Sequence, residues 1–202
     1  MKVVATCTLF SEEIIVNGEI FVSIPQNEID WKKWLYSYLN SEYPKFHKMD
    51  SLAKLAYLGM RVLEKEIDFS NYKDEEVGLI FANQFSSFYS DNKHYTNYTQ
   101  KNMVSPSDFV YTLPNILTGE LAILKKWYGE NVFFILPEFN LDFFIEQVDF
   151  MFRKGVKACL CGWIESKENI EHSVLFLIEN KAGMLQKEEL LKELIINKLH
   201  ER

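Results

Sequence analysis

The stretch SPSDFVYTLPNILTGELAI, residues 105–123, indicates how this chain folds. Pro114 can stand in the first turn of a helix, and the apolar residues after it recur at helical spacing as far as about Trp127. Gly129 is expected to end this helix. The apolar run at residues 131–136 then predicts a strand that is covered on both faces. A helix followed at once by a buried strand is typical of an α/β protein.

The same alternation continues on both sides of this stretch. Asn140 is expected to cap a helix after Pro137 has broken the strand, and Asn17-Gly18 marks a tight hairpin turn. Residues 84–101 are polar and predict a long loop. The whole chain, residues 1–202, is therefore predicted to be one α/β domain, a mixed sheet of about five strands flanked by helices. In order, the patterns predict strands at residues 1–10, 13–23, 77–83, 131–136, 156–163 and 173–180, and helices at 28–40, 51–66, 114–127, 141–154 and 188–200.

Composition argues against several classes of function. The 202 residues carry 22 Lys and Arg against 29 Asp and Glu, a net charge of −7. A nucleic-acid partner calls for a basic face, and none stands out in the sequence. The three cysteines lack the spacing of a disulfide framework or a metal site, no apolar run is long enough to cross a bilayer, and the first residues do not resemble a secretion signal. We predict a cytoplasmic protein with no metal, no cofactor, no nucleic-acid partner and no membrane span.

Five short motifs resemble the N-terminal half of the β-ketoacyl synthases, which have a thiolase-like fold. In order, they are FHKMD with LAKLA at residues 46–50 and 52–56, VGLIFAN at 77–83, LPN with GELAI at 113–115 and 119–123, GENV at 129–132, and KG with CGWIE at 154–155 and 161–165. The resemblance covers at least residues 46–165. Within the family, the chain is similar to short ketosynthase-like proteins from bacterial clusters that make aryl polyene, flexirubin or dialkylresorcinol lipids.

The resemblance implies a subunit that does not itself condense acyl chains. The family carries its nucleophilic cysteine after the strand that GENV opens, and this chain has Glu138 at that position. The family's two catalytic histidines lie in a C-terminal half for which the sequence offers no counterpart. In such clusters a cysteine-free member resembles a chain length factor, which pairs with a full-length ketosynthase as a heterodimer in fatty acid or polyketide-type biosynthesis. An acyl carrier protein would then be met only indirectly, through the partner.

The same resemblance places the strand at residues 131–136 at the edge where two subunits pair. Bulky residues near that edge would cap or shape the acyl tunnel and so limit the length of the chain. No residue is predicted to be catalytic. The candidate tunnel or interface residues are Phe109, Tyr111, Leu113, Pro114, Asn115, Phe133, Phe134, Phe139, Phe143 and Phe144.

Two other functions stay open on the sequence. One is a stand-alone homodimer that binds an acyl carrier or a small molecule. The other is a hydrolase or decarboxylase that uses Glu138 or His94, the latter in a polar segment with Ser86, Ser87 and Asp91, although nothing there resembles a nucleophile elbow. Otherwise the four histidines, His47, His94, His172 and His200, are expected at the surface or in loops.

Overall fold

The computed structural model describes residues 1–167, 170–183 and 185–194 of the chain. Within this part, seven strands form one mixed sheet. The order in the sheet is β3-β2-β1-β7-β6-β4-β5. β4 pairs in parallel with both β5 and β6, and the other neighbours are antiparallel. The α/β class and the mixed sheet are as predicted, with seven strands instead of about five. The strands are β1 Lys2–Leu9, β2 Glu13–Val16, β3 Glu19–Ser23, β4 Val77–Asn83, β5 Asn131–Ile135, β6 Ala158–Lys167 and β7 Ile170–Glu179.

The Asn17-Gly18 turn explains part of the higher strand count. Both residues have positive φ, 50° and 80°, which a two-residue hairpin turn requires. The side chain of Asn17 also accepts a hydrogen bond from the N–H of Thr6 at 2.9 Å, which ties the turn to β1. The predicted strand at residues 13–23 is therefore a hairpin of two strands, β2 and β3.

Helices cover both faces of the sheet. One face carries α1, α2 and α5 over a core that includes Phe46 and Tyr57, and the other carries α6 and α7 over Phe144 and Phe176. All seven residues of β4 are buried between these layers, as expected for a parallel strand in the middle of an α/β protein. The helices are α1 Trp31–Tyr38, α2 Ser51–Leu63, α3 Phe88–Lys101, α4 Pro106–Val110, α5 Ile116–Lys125, α6 Leu141–Arg153 and α7 Lys187–Glu193, with short 3₁₀ turns at Pro44–Lys48 and Phe69–Asn71.

Side-chain caps begin four of the described helices, α1, α2, α4 and α6. The carboxylate of Asp50 accepts the N–H of Ala53 at 2.9 Å at the start of α2. The predicted cap Asn140 accepts the N–H of Phe143 at 3.0 Å at the start of α6. Each cap satisfies one of the N–H groups that a first helical turn leaves without a partner.

The predicted loop at residues 84–101 is wrong over most of its length. Residues from Phe88 onward form α3, which ends where Asn102 takes the left-handed conformation with φ 49°. No residue of α3 is buried. A helix that buries no face leaves no apolar periodicity in the sequence, and this is why the pattern indicated a loop.

The end predicted for α5 is also wrong. The helix stops at Lys125 because Lys126 takes a left-handed φ of 57°, and the N–H of Trp127 then bonds to the carbonyl of Ala122 at 3.0 Å. Gly129 is needed for a different reason. A Cβ at this position would overlap the carbonyl oxygen of Val77, so the glycine lets the chain pass close to the start of β4.

β5 lies at one edge of the sheet. Phe133 packs against the core on one face, and Val132 and Phe134 pack against the core on the other, but all three are only partly buried. Among the described residues β5 hydrogen-bonds to β4 alone. The prediction that both faces are covered therefore holds only in part. Core residues pack on both faces of β5, but its side chains stay partly exposed because the strand lies at the edge of the sheet.

At the C-terminal end, α7 covers the first part of the helix predicted at residues 188–200. Residues 195–202 lie outside the described part of the chain. Within that described part, none of the helices has the length and apolar character needed to cross a bilayer.

Gly162 on β6 provides a test of this packing. A Cβ there would overlap the ring of Phe81, which is fully buried on β4. We expect Gly162→Ala to lower the free energy of unfolding by about 1–3 kcal/mol, since the ring has no free space to move into. Gly119→Ala is the control, because a Cβ at Gly119 meets nothing within 4 Å and alanine in a helix should raise stability by about 0.5–1 kcal/mol. Urea unfolding of both variants measures the difference, and equal shifts would contradict this description of the core.

Candidate functional site

The loop after β5 carries Glu138, the residue that the motif spacing predicts at the position of the family's nucleophile. Pro137 and Glu138 are both exposed, and the chain then turns into α6 at the Asn140 cap. A carboxylate near the start of a helix is electrostatically favoured by the helix dipole. No other described residue forms an ion pair with Glu138, so its carboxyl group is exposed to solvent at the rim of the sheet.

Glu138 lies on the rim of a cavity of about 390 Å³, which we call the strand-end cavity. It forms at the carboxyl ends of the three parallel strands β4, β5 and β6, the edge where open α/β sheets commonly bind ligands. The residues that line it are Gln84, Phe85, Pro137, Glu138, Phe139, Trp163, Glu165, Lys167, Ile170 and His172.

Aromatic side chains form much of the wall of the strand-end cavity. The ring of Phe139 meets Trp163 edge-on at 6.1 Å and stacks against Phe144 at 5.7 Å. The amino group of Lys167 lies 4.3 Å from the ring centre of Phe85, a cation–π contact. The cavity therefore offers apolar, planar surfaces beside four ionisable side chains, those of Glu138, Glu165, Lys167 and His172.

Glu165 is the most unusual polar group of the cavity. Only 5% of the residue is exposed, and its Oε1 accepts the N–H of Gln84 at 2.6 Å. Its Oε2 is buried and has no hydrogen-bond partner among the described residues. Burial raises the pKa of Glu165 to about 7, against the lowering by the Gln84 N–H and by the charge of Lys167. At neutral pH the side chain is thus divided between carboxylic acid and carboxylate.

His172 faces Glu165 across the antiparallel pair of β6 and β7. It is 5% exposed, and its ring lies 6.4 Å from that of Phe10. The prediction of a surface or loop position is wrong for this histidine, because its place in the apolar strand β7 puts it in the core. The cavity thus holds two buried titratable side chains that belong to neighbouring strands.

The predicted tunnel and interface residues separate into two groups. Tyr111 is buried, and its hydroxyl donates to Glu120 at 3.2 Å; Phe144 is fully buried below α6. The others reach the surface to some degree. Phe109, Leu113 and Asn115 are exposed, while Pro114, Phe133, Phe134, Phe139 and Phe143 are half-buried.

His94 does not assemble a catalytic triad with its neighbours. Its ring packs 5.7 Å from Phe109, whereas Ser87 donates to the carbonyl of Thr112 at 2.6 Å and contacts Asp91 at 3.2 Å. Within the described part of the chain, no hydrogen bond joins His94 to Ser87 or Asp91. The contact between Ser87 and Asp91 joins the N-cap position of α3 to its first turn.

The three cysteines are buried structural thiols. Cys7, Cys159 and Cys161 are fully shielded from solvent. Burial raises the pKa of Cys159 to about 12 and raises those of Cys7 and Cys161 as well. A thiol reacts as the thiolate, so none of the three is activated as a nucleophile at neutral pH. In the described part of the chain, no group of His, Cys, Asp and Glu is arranged to hold a metal ion.

Sequence reasoning missed Glu165, His172 and Trp163 as members of one site. A signal existed for Glu165, because a carboxylate at the end of eight buried strand residues interrupts the apolar run. No comparable signal existed for the cavity itself. Its residues come from four separate segments that meet only when the parallel strands pair.

The raised pKa of Glu165 predicts a specific dependence of stability on pH. Its folded value of about 7 lies above the ordinary 4.5, so the folded chain holds a proton that the unfolded chain has lost between these values. The resulting stabilisation is complete below about pH 4.5 and disappears as the pH rises through 7. Between about pH 5 and pH 8, the free energy of unfolding of the wild type should fall by up to about 3 kcal/mol relative to Glu165→Gln. Urea titrations of both proteins measure this, and a difference that is constant with pH would contradict it.

No family model matches the chain, and none of the curated proteins matches it. Solved structures do. A chain of the ketosynthase ApeO in complex with its chain length factor ApeC, from Xenorhabdus doucetiae, superposes with a TM-score of 0.62 at 12% identity, over 90% of this chain and 79% of that one.

Two further structures are similar to the same extent. The ishigamide ketosynthase/chain length factor gives a TM-score of 0.62 at 13% identity over 90% of this chain. The AntDE:AntF complex, a type II PKS acyl-carrier protein with its ketosynthase bound to the hexaketide, gives 0.60 at 13% identity over 88% of this chain. This chain spans 62% of the matched chain in both cases, less than two thirds of its length. At such identities the likeness concerns the fold, and it confirms that this chain has the thiolase-like α/β fold of ketosynthase-type proteins.

Proposed function

We propose that this chain is a non-condensing, chain length factor-like subunit that pairs with a full-length ketosynthase. The observation that carries the proposal is a ketosynthase-type fold in which all three cysteines are buried. The motif spacing predicts Glu138 at the position of the nucleophile, and the proposal adopts that assignment. In this proposal residues 1–202 form a single domain that resembles the N-terminal half of a ketosynthase. It serves fatty acid or polyketide-type biosynthesis of the aryl polyene, flexirubin or dialkylresorcinol kind, and meets the acyl carrier protein only through its partner.

The distribution of exposed apolar side chains supports a partner at the β5 edge. Of the seventeen large hydrophobic residues that are exposed in the described part of the chain, twelve lie between residues 88 and 135. This segment comprises α3, α4, α5 and β5, and we call its exposed apolar surface the edge face. Its members are Phe88, Tyr89, Tyr95, Tyr98, Met103, Val104, Phe109, Val110, Leu113, Ile123, Tyr128 and Ile135.

The open edge of β5 gives this surface a means of pairing. A strand that lacks a neighbour presents unpaired N–H and C=O groups, which another strand can satisfy. The exposed aromatic residues of α3 and α4 are of the kind that protein interfaces favour, because such residues bury much area at little entropic cost. Together they favour a partner that adds a strand to β5 and covers α3 and α4.

Glu138 is then placed to shape the site. It lies just after β5, on the rim of the strand-end cavity and near the proposed interface. A carboxylate at this point would present a fixed negative charge to an acyl chain held between the two subunits. Its role in the proposal is to limit the space or polarity of the tunnel, with no bond formed to the substrate.

The edge face can be tested with two isoleucines at opposite edges of the sheet. Ile135 on β5 is 60% exposed and Ile20 on β3 is 63% exposed. We expect Ile135→Lys to weaken binding to the ketosynthase from the same gene neighbourhood by more than tenfold, since a buried, unpaired charge costs more than the about 1.4 kcal/mol that this factor represents. Ile20→Lys should bind like the wild type.

Mass measurement in solution, on the chain alone and with the ketosynthase, reports both variants, and circular dichroism checks that both fold. A stable homodimer that ignores the ketosynthase, and that Ile135→Lys breaks, would replace the proposal with the homodimeric binding module. Equal binding by both variants would place the interface elsewhere.

Substitution of Glu138 tests its role in the reconstituted complex. We expect Glu138→Ala to change the lengths of the products while the complex stays intact and total product falls by less than about tenfold, since no bond to the substrate is lost. The matched control is Glu146→Ala, an exposed carboxylate on α6 outside the cavity. Product analysis by mass spectrometry measures both. Complete loss of product with an intact complex would instead support chemistry at Glu138.

A further inference from the structure

We propose that the cavity between the start of α2 and α3 binds a phosphate group through the amines of Lys48 and Lys54. The proposal concerns the isolated chain and does not rest on pairing with a ketosynthase. We call this space, which measures about 280 Å³, the lysine cavity. Its charged lining residues are three lysines and two aspartates: Lys48, Lys54, Lys93, Asp50 and Asp108.

Both carboxylates of the lysine cavity already have donors within the protein. Oδ1 of Asp50 accepts the N–H three residues further along α2 at 2.9 Å, and its Oδ2 accepts the hydroxyl of Ser90 at 2.9 Å. Oδ1 of Asp108 accepts the amine of Lys93 at 2.9 Å, and its Oδ2 accepts a side-chain amide of α3 at 3.2 Å. All four carboxylate oxygens are therefore occupied, and Lys93 is the lysine with which they pair.

The amines of Lys48 and Lys54 form no ion pair with any described residue. Lys48 is exposed, whereas Lys54 is half-buried and its amine lies 5.7 Å from the ring centre of Phe46. Burial lowers the pKa of Lys54, and the carboxylates of Asp30 and Asp50 offset this only in part. Because charges that leave water are as a rule paired, a half-buried ammonium group without a counter-ion favours an anion from outside the chain.

Two separate ammonium groups favour phosphate over carboxylate. A phosphate monoester carries a charge of about −1.5 to −2 at pH 7 and has three strong acceptor oxygens, so it can face both amines at once. A carboxylate carries one charge and is matched best by the planar fork of arginine, and no arginine is among the described residues that line the cavity. The volume is just below the range of about 300–1,000 Å³ for small-molecule sites, so any group attached to the phosphate is small.

The test is a titration of the full chain with inorganic phosphate, ethyl phosphate and acetate at about pH 7.5 and constant ionic strength. The readout is the NMR signals of the backbone N–H groups of Ser51 and Ser90, two residues that line the cavity. We expect both phosphates to shift these signals with a Kd of about 1 mM, a weak affinity suited to a small anion on a chain of net charge −7. Acetate should give no saturable shift up to about 50 mM.

The two phosphates also distinguish the possible sources of the ligand. Tighter binding of ethyl phosphate would support the proposal and assign the site to phosphate monoesters. Tighter binding of inorganic phosphate would support it equally and assign the site to the free ion.

Variants identify the amines that bind. Lys48→Gln and Lys54→Gln should each weaken phosphate binding by about fivefold or more, and Lys54→Arg, which keeps the charge, should stay within about threefold of the wild type. Lys65→Gln is the control, because Lys65 is exposed just after the end of α2, lies outside the cavity and changes the net charge by the same amount. It should bind phosphate like the wild type. The dispersion of the same spectra checks that every variant folds.

Three results would overturn the proposal. An equal response to acetate would show that the cavity has no preference for phosphate. An equal loss of binding in Lys65→Gln and Lys54→Gln would make the effect one of net charge. Absence of a saturable shift with either phosphate would show that the two lysines form no site. None of these results bears on pairing with a ketosynthase, which Ile135→Lys measures separately.

Discussion

Close packing on both faces of the parallel strands β4 and β6 is the constraint on which the rest of this structure depends. The strands are covered by α2 and α5 on one side and by α6 on the other, and their side chains leave almost no free space. Two glycines are needed for this. A Cβ at Gly78 would lie 2.5 Å from Sδ of Met151, and one at Gly162 would overlap Phe81. Because the helices pack so closely on both faces, polar residues near the ends of these strands, Asn83 and Glu165, are buried as well.

That packing creates the electrostatics of the strand-end cavity. Glu165 is held below the surface by the strand it belongs to, and its neighbour His172 is held there by β7. The high pKa of Glu165 is therefore a consequence of sheet geometry, since burial disfavours the charged form and the single N–H from Gln84 compensates only in part.

The opposite situation holds at β5 and α3. Here the sheet ends without a neighbour, and α3 buries none of its side chains, so apolar groups that the core could not accommodate remain at the surface. Charges are interspersed with the apolar groups here, since α3 carries Asp91, Lys93 and Lys101 among its tyrosines. The structure thus has a closely packed centre and an edge strand, β5, whose outer side no other described strand pairs with, and the proposed pairing uses that edge.

The sequence by itself determined the elements whose residues are neighbours in the chain. Asn17-Gly18 specified the hairpin, Asn140 specified the start of α6, and the alternation of apolar patterns specified the α/β class. The resemblance of five motifs to the ketosynthases specified the fold that the structure then showed. Local signals suffice in these cases because a turn, a cap or an amphipathic face is formed within a few residues of the signal.

Tertiary structure alone decided α3, the end of α5 and the strand-end cavity. α3 has no buried face to reveal it, and Lys126 ends α5 in a conformation that its residue type does not favour. Gln84, Glu138, Glu165 and His172 come from four segments. Parallel pairing brings the carboxyl ends of β4, β5 and β6 to the same edge, and the antiparallel pairing of β6 with β7 adds His172 opposite Glu165. The protonation of Glu165 depends on how much of it is buried, and burial is a property of the packed molecule, not of any single stretch of its sequence.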